Sequence, residues 1–178
     1  VDEAGKTIGR VEKLQAHENG GVWHRAISVM LFNEDGRLLL QRRSEKKYHF
    51  ANLWANSCCS HPMNEESPSD AARRAMSIEL GISSEVREIT HLVYEAHDSL
   101  SGLTEKEYDH LFVGEMRKAL QLNPDEVSEV RWVSGRELSE ELKANPEKFV
   151  PWLPRIMDHL KAQDLSSPAF LQNFLTDY

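Results

Sequence analysis

The segment Ala55-Asn56-Ser57-Cys58-Cys59-Ser60-His61-Pro62, followed by Arg74, Glu79 and Gly81, puts a thiol, an imidazole and a carboxylate into one short stretch of chain. Such a set can hold a divalent cation beside an acid or a nucleophile. Two other segments add donors of the same kinds, His17 with His24 and Glu105 with Glu107. Together with His61, these residues supply three imidazoles and two carboxylates, enough for one complete metal site. No single one is decisive, because a chain with eight histidines in 178 residues will hold some that only pack or face solvent.

The elements that must position these groups follow from pattern. Ala26–Phe32 reads as a strand, Asn33-Glu34-Asp35-Gly36 as a turn and Leu38–Arg42 as the returning strand. Tyr48–Leu53 reads as a loop, and Trp54–Cys59 as a short strand delivering Cys59 and His61 at its end. On a strand, Cys58 and Cys59 point to opposite faces, so one of them at most serves a given site. Ser67 caps a helix that has Pro68 in its first turn and Gly81 as its stop. At ~100° per residue with Ala71 at zero, Ile78 lies near 340°, Ala75 near 40°, Ala72 near 100° and Met76 near 140°, which leaves Glu79 at about 80° inside the apolar arc. A carboxylate there must be paired with an inward arginine or coordinate a metal.

Glu88–Ala96 and Glu105–Gly114 read as strands joined by Ser99–Gly102. Glu105 and Glu107 then share a face. Their repulsion is relieved by a shared cation, or by water if the face is a solvated edge. Val127–Val133 is a further strand, Ser134–Ala144 a capped helix and Arg155–Ala162 a last helix. Strands, helix, strands, helix is the order of an α+β fold with a mixed β-sheet core flanked by helices.

Composition narrows the classes. With 40% apolar and 28% charged residues, 178 residues are expected to form one domain. A net charge of −8 argues against a general nucleic-acid binder. The cluster Arg37, Arg42, Arg43, Lys46 and Lys47 is either a local anion site or a solvated loop. No apolar run approaches the ~20 residues that span a bilayer, no signal peptide is visible, and two adjacent cysteines suit a reducing, cytoplasmic setting. The chain opens at Val1, so the native start is expected upstream.

Residues 60–82 resemble the Nudix box, keeping Glu66, Arg74, Met76, Glu79, Gly81 and Ile82. Ser60 replaces the glycine of that box, and Ala75 and Ile78 replace two metal-binding glutamates on which its diphosphate hydrolases rely. These departures, together with His17, His24, the Asn-Ser-Cys-Cys-Ser-His-Pro segment, Glu79, Tyr94, Glu105-Lys106-Glu107 and Pro151-Trp152, resemble type I isopentenyl-diphosphate isomerases from about Lys13 to Trp152. The resemblance implies a single Nudix-like catalytic domain over residues 1–178 and a small-molecule diphosphate substrate, with no nucleic-acid or membrane partner and a monomer or weak oligomer. It implies a manganese or zinc ion on His17, His24, His61, Glu105 and Glu107. It also implies a magnesium ion on Glu79 and the backbone carbonyl of Cys59. Lys13, Arg43 and Lys47 would bind the diphosphate. Cys59 and Glu107 would be the acid/base pair, with Tyr94 assisting and Trp152 laying its ring against a carbocation. A residue like Trp152 can equally anchor a helix to the core.

Overall fold

The computed structural model describes residues 1–163 and 167–178. Its sheet is assembled from His24–Phe32 (β1), Leu38–Arg43 (β2), Trp54–Ala55 (β3), Cys58–Ser60 (β4), Arg87–His97 (β5), Thr104–Glu115 (β6) and Val127–Val133 (β7). The strands run in the order β3-β2-β1-β6-β5, with β4 also pairing β1 and β7 pairing β2. The β1–β6 pair is parallel and the others are antiparallel, so the sheet is mixed, as the order of elements predicts.

Alternation along β1 divides the core. Met30 and Phe32 pack with the C-terminal helices, while Ile27, Val29 and Leu31 pack with Pro68–Leu80 (α1). A strand buried on both faces reads as a near-continuous apolar run, which is what Ile27–Phe32 shows apart from Ser28. Cys58 and Cys59 fall on opposite faces, Cys58 in the α1 layer and Cys59 against the other core.

Helix α1 has the ends its sequence predicts. The Ser67 side chain accepts a hydrogen bond from the Asp70 amide, and Gly81 takes a left-handed φ of 67°. Its buried arc comprises Ala71, Ala72, Ala75, Met76, Glu79 and Leu80, so Glu79 does face inward. Ile78, expected at the edge of that arc, lies outside it and is exposed. Gly135–Ala144 (α2) begins with a capping box between Ser134 and Glu137.

Two expectations need correction, and one element had none. Trp54–Cys59 is two short strands, because buried Asn56 and Ser57 turn their side chains to backbone carbonyls and an amide of the neighbouring strands. The third helix, Trp152–Ala162 (α3), starts three residues earlier than Arg155 because Pro151 is already in the helical region at φ −67°. Ala169–Asp177 (α4) closes over the core with Leu171 and Phe174, an element without a sequence expectation.

Gly81 sets the end of the helix that carries Glu79. A Cβ there would lie 2.6 Å from the Gln121 carbonyl oxygen, in addition to the left-handed backbone. Gly81→Ala should therefore cost roughly 1–3 kcal/mol of unfolding free energy in a urea titration, and a loss below about 0.5 kcal/mol would contradict the cap.

Candidate active site

Strand register brings the chemistry together. In the β1–β6 pair His24 sits beside Glu107, and in the β5–β6 pair Tyr94 sits beside Glu107 from the other side. Residues opposite one another in a ladder share a face, so Glu107 lies between an imidazole and a phenol. Ser28 pairs with Cys59 across β1 and β4, which sets the thiol on that same face. The solvated-edge reading of Glu105 and Glu107 is excluded, since they are 2% and 6% exposed.

Around these carboxylates stand His17, His24 and His61, and one donor atom from each of the five residues lies within 4.8 Å of every other. The tautomers suit a cation. His17 Nδ1 contacts the Lys13 carbonyl at 2.6 Å and His24 Nδ1 the Val22 carbonyl at 2.8 Å. With Nδ1 donating to those oxygens, each ring turns an Nε2 lone pair into the cluster. Both Nε2 atoms and Glu105 Oε2 are buried and make no hydrogen bond, although His17 Nε2 is 2.8 Å from that oxygen. His61 Nε2 meets Glu107 Oε1 at 2.9 Å. Convergent lone pairs with unsatisfied directions fit a divalent ion of imidazole and carboxylate preference.

Electrostatics agree. Burial works to raise Glu105, yet the close imidazoles of His17, His24 and His49 hold its carboxyl well below the usual range. Burial likewise works to lower His24, and the nearby carboxylates of Glu105 and Glu107, at 3.6 and 3.7 Å, outweigh that, lifting it to about 10. The two carboxylates thus hold positive charge strongly. Burial pushes the Tyr94 phenol up, reinforced by Glu107, to which it donates a hydrogen bond through Oε2.

One pocket gathers most of the sequence-predicted residues: Lys13, Arg43, Lys47, Cys59, Tyr94, Glu107 and Trp152 all line it. Its solvent-accessible space is small, about 30 Å³. Trp152 is 2% exposed, with the Phe50 ring set edge-on at 5.2 Å and the Tyr94 ring near-parallel at 6.3 Å. It therefore anchors α3 and lines the pocket at once. Burial raises the Cys59 thiol to about 12, with Arg43 acting in the opposite sense.

The five-cation cluster splits. Arg37, Arg42 and Lys46 form surface pairs with Glu137, Glu129 and Asp125, and only Arg43 and Lys47 reach the pocket. Arg43 donates to the carbonyls of Phe50 and His49 at 3.0 Å each and stands 5.5 Å over the Trp152 ring, while Lys47 is paired with Glu126. Glu79 lies apart from the five-residue cluster, is 4% exposed, and accepts a 2.9 Å hydrogen bond from Gln41. Burial raises its carboxyl, with Lys47 opposing. Both arginines of its own helix are engaged elsewhere, Arg74 with both oxygens of Glu66 at 2.8 Å and Arg73 with Asp70 at 2.6 Å.

Two residues escaped the sequence reading. His49, in the 48–53 loop, hydrogen-bonds the second oxygen of Glu105 through Nε2. Asp109, next inward on β6, is fully buried, and burial and Glu107 push its carboxyl well up. The period-two pattern Glu105, Glu107, Asp109 was the available signal for Asp109; nothing local marked His49.

Comparison with known proteins agrees with this geometry. The profile of the NUDIX domain matches residues 22–153. Isopentenyl-diphosphate Delta-isomerase of Streptomyces griseus is 44% identical over 172 residues, covering 95% of this chain and 86% of that protein. Isopentenyl-diphosphate Delta-isomerase 2 of Aromatoleum aromaticum is 41% identical, covering 90% and 84%. Among solved structures, a Deinococcus radiodurans protein superposes with a TM-score of 0.74 at 19% identity, covering 89% of this chain and 95% of that one. A MutT protein of Methanosarcina mazei gives 0.60 at 23% identity, covering 79% and 96%. The structural likenesses speak to the fold alone, while the sequence matches cover 95% and 90% of the chain. The chain belongs to the isopentenyl-diphosphate Delta-isomerase family, within the NUDIX fold.

Proposed function

We propose that this protein interconverts isopentenyl and dimethylallyl diphosphate, moving one carbon–carbon double bond, and that residues 1–178 form one catalytic domain working in the cytoplasm as a monomer or weak oligomer. The observation that carries the reading is the shared pocket of Cys59, Tyr94, Glu107 and Trp152, in a family whose named members are isopentenyl-diphosphate Delta-isomerases. A proton adds to the terminal methylene carbon, the alkene's electron pair forming the new C–H bond. The resulting tertiary cation then loses a proton from the carbon next to the diphosphate-bearing one, and that C–H pair becomes the new double bond.

An alkene is a very weak base, so the donor must be held in place and the cation kept from water. Tyr94 and Glu107 form one hydrogen-bonded unit and Cys59 the other proton-transfer group; running the reaction backward exchanges their roles. The small enclosed pocket excludes capture of the cation by water. Trp152 offers its π face, an attraction of about 2 kcal/mol or more when desolvated. The Arg43 guanidinium shares that ring, and the negative charge of the diphosphate makes the two cations compatible there. Lys13, Arg43 and Lys47 are the diphosphate-binding cations. Burial and then Lys47 lower the Lys13 ammonium, as expected for cations crowded to receive an anion.

His17, His24, His61, Glu105 and Glu107 would hold a manganese or zinc ion, and Glu79 with the Cys59 carbonyl a magnesium ion. Bound at Glu107, an ion withdraws charge from the carboxyl and strengthens its acidity. Hydrolysis is disfavoured by α1 itself. Ala75 and Ile78 bring no carboxylate, and Glu66 is fully engaged by Arg74.

In deuterated water with magnesium, the protein should convert isopentenyl diphosphate to dimethylallyl diphosphate and incorporate deuterium, read by proton NMR. Release of phosphate or pyrophosphate without migration of the double bond would contradict this. Cys59→Ala should abolish turnover and Cys58→Ala retain most of it. Because the raised Cys59 is almost wholly thiol below its value of about 12, its alkylation by iodoacetamide should be slow near neutrality and accelerate steadily as pH rises. Equal losses in the two variants, or labelling that levels off near the ordinary thiol value, would contradict the assignment.

A further inference from the structure

Asn56 is fully buried between β3 and β4, and both ends of its amide are in use. Nδ2 donates to the Val29 carbonyl at 3.2 Å and to the Cys58 carbonyl at 2.9 Å. Oδ1 accepts from the indole Nε1 of Trp152 at 3.1 Å and from the Cys59 thiol at 3.2 Å. The orientation of the amide is forced twice. Two carbonyls can only accept, so they must face the NH₂ group, and an indole N–H can only donate, so it must face the oxygen. The carbonyl partners belong to β1 and β4, which are themselves fixed by the sheet ladder.

One oxygen atom therefore joins the first residue of α3 to the thiol-bearing strand, across 96 residues of sequence. Among the described residues, the only other side chain offered to the sulfur by hydrogen bonding is Ser28 Oγ, at a longer 3.9 Å. An indole held at Nε1 is restrained from rotating in its own plane, while the rings of Phe50 and Tyr94 limit tipping of its face. A thiol whose hydrogen is drawn to a fixed oxygen has its remaining sulfur surface fixed too. The proton-transfer group and the cation-stabilising ring are thus held by a common acceptor.

We propose that Asn56 is a positioning residue for the isomerisation: through Oδ1 it sets the direction of the Cys59 thiol and the rotation of the Trp152 indole together, presenting both to the carbon skeleton of the substrate. This role rests on the isomerase reading given above. It touches neither the diphosphate nor the reacting carbons, so its effect falls on the chemical step rather than on substrate capture.

The test combines NMR with kinetics. The chain has four tryptophans, and Trp152→Phe identifies the Trp152 indole resonance in a ¹⁵N-correlated spectrum. In the parent protein that indole hydrogen should exchange most slowly of the four, whereas exchange as fast as that of the half-buried Trp23 overturns the proposal without any Asn56 variant. In Asn56→Ala the Trp152 resonance should move while the other three hold. Its kcat should fall at least tenfold, with KM changed less than threefold. In a Trp152→Phe background the same substitution should cost a smaller factor, because the indole donor has already gone. A simple packing role predicts factors that multiply in full, and that result overturns the proposal, as does an unchanged kcat in the folded variant. A parent that exchanges slowly but shows no isomerisation overturns the function and this role with it. A parent that isomerises, with Asn56→Ala as fast, overturns the role alone.

Discussion

Two carboxylates stand two residues apart on the same face of β6, both almost wholly withdrawn from water. Burying one charge is costly, and burying two of like sign side by side is worse unless positive charge or hydrogen-bond donors meet them. Four imidazoles do so here, His17, His24 and His49 around Glu105 and His24 and His61 around Glu107, with the Tyr94 hydroxyl closing the second carboxylate. Much else in the molecule follows from meeting that requirement. The N-terminal segment folds back so that His17 enters the sheet's end, the Thr104 amide bonding the His17 carbonyl. The 48–53 loop is drawn in as well, with the Phe50 amide on Asp98 and both Phe50 and Asn52 in the left-handed region.

That loop explains how the site couples to its anion-binding side. Arg43 donates to the carbonyls of His49 and Phe50, the residues that flank the Glu105 contact and the Trp152 contact respectively. A guanidinium proposed to meet the diphosphate is thereby connected through one peptide unit to the buried carboxylates and to the aromatic wall. The opposite face of the sheet contributes separately. Glu79 comes from α1, behind the strands, and reaches its place because the helix is stopped at Gly81. On our proposal this separation gives two ions distinct duties, one resident among imidazoles and one arriving with the phosphates.

The parts legible in the sequence were those written in local pattern. Strand-forming runs bounded by turn residues gave β1, β2, β5, β6 and β7 to within two residues, and capping chemistry gave both ends of α1 and the start of α2. Glu79 was found because a carboxylate broke an apolar arc, a signal internal to one helix. What stayed hidden depended on contacts far apart in sequence. Asn56 has no local reason to be buried, since its partners lie on β1, β4 and α3. His49 looks like any loop histidine until β6 is placed beside it, 56 residues on. The basic run 37–47 fitted either an anion site or a solvated loop, and it divides between them: Arg37 and Arg42 pair with surface carboxylates, while Arg43, across an irregularity in β2, is buried.

The central claim is that the Glu105–Glu107 pair exists to hold one cation in a cage of imidazoles. Elemental analysis of the purified protein tests it directly. With five side-chain donors converging, about one manganese or zinc ion per chain should survive extensive dialysis, since so full a donor set leaves little room for exchange with water. Because a coordinating imidazole must surrender its proton, retention should weaken as the dialysis buffer is made more acid. Glu105→Ala should lose the ion while Cys59→Ala keeps it. A fully active preparation with no bound transition ion, or a Glu105→Ala protein that retains a full equivalent, would contradict the account.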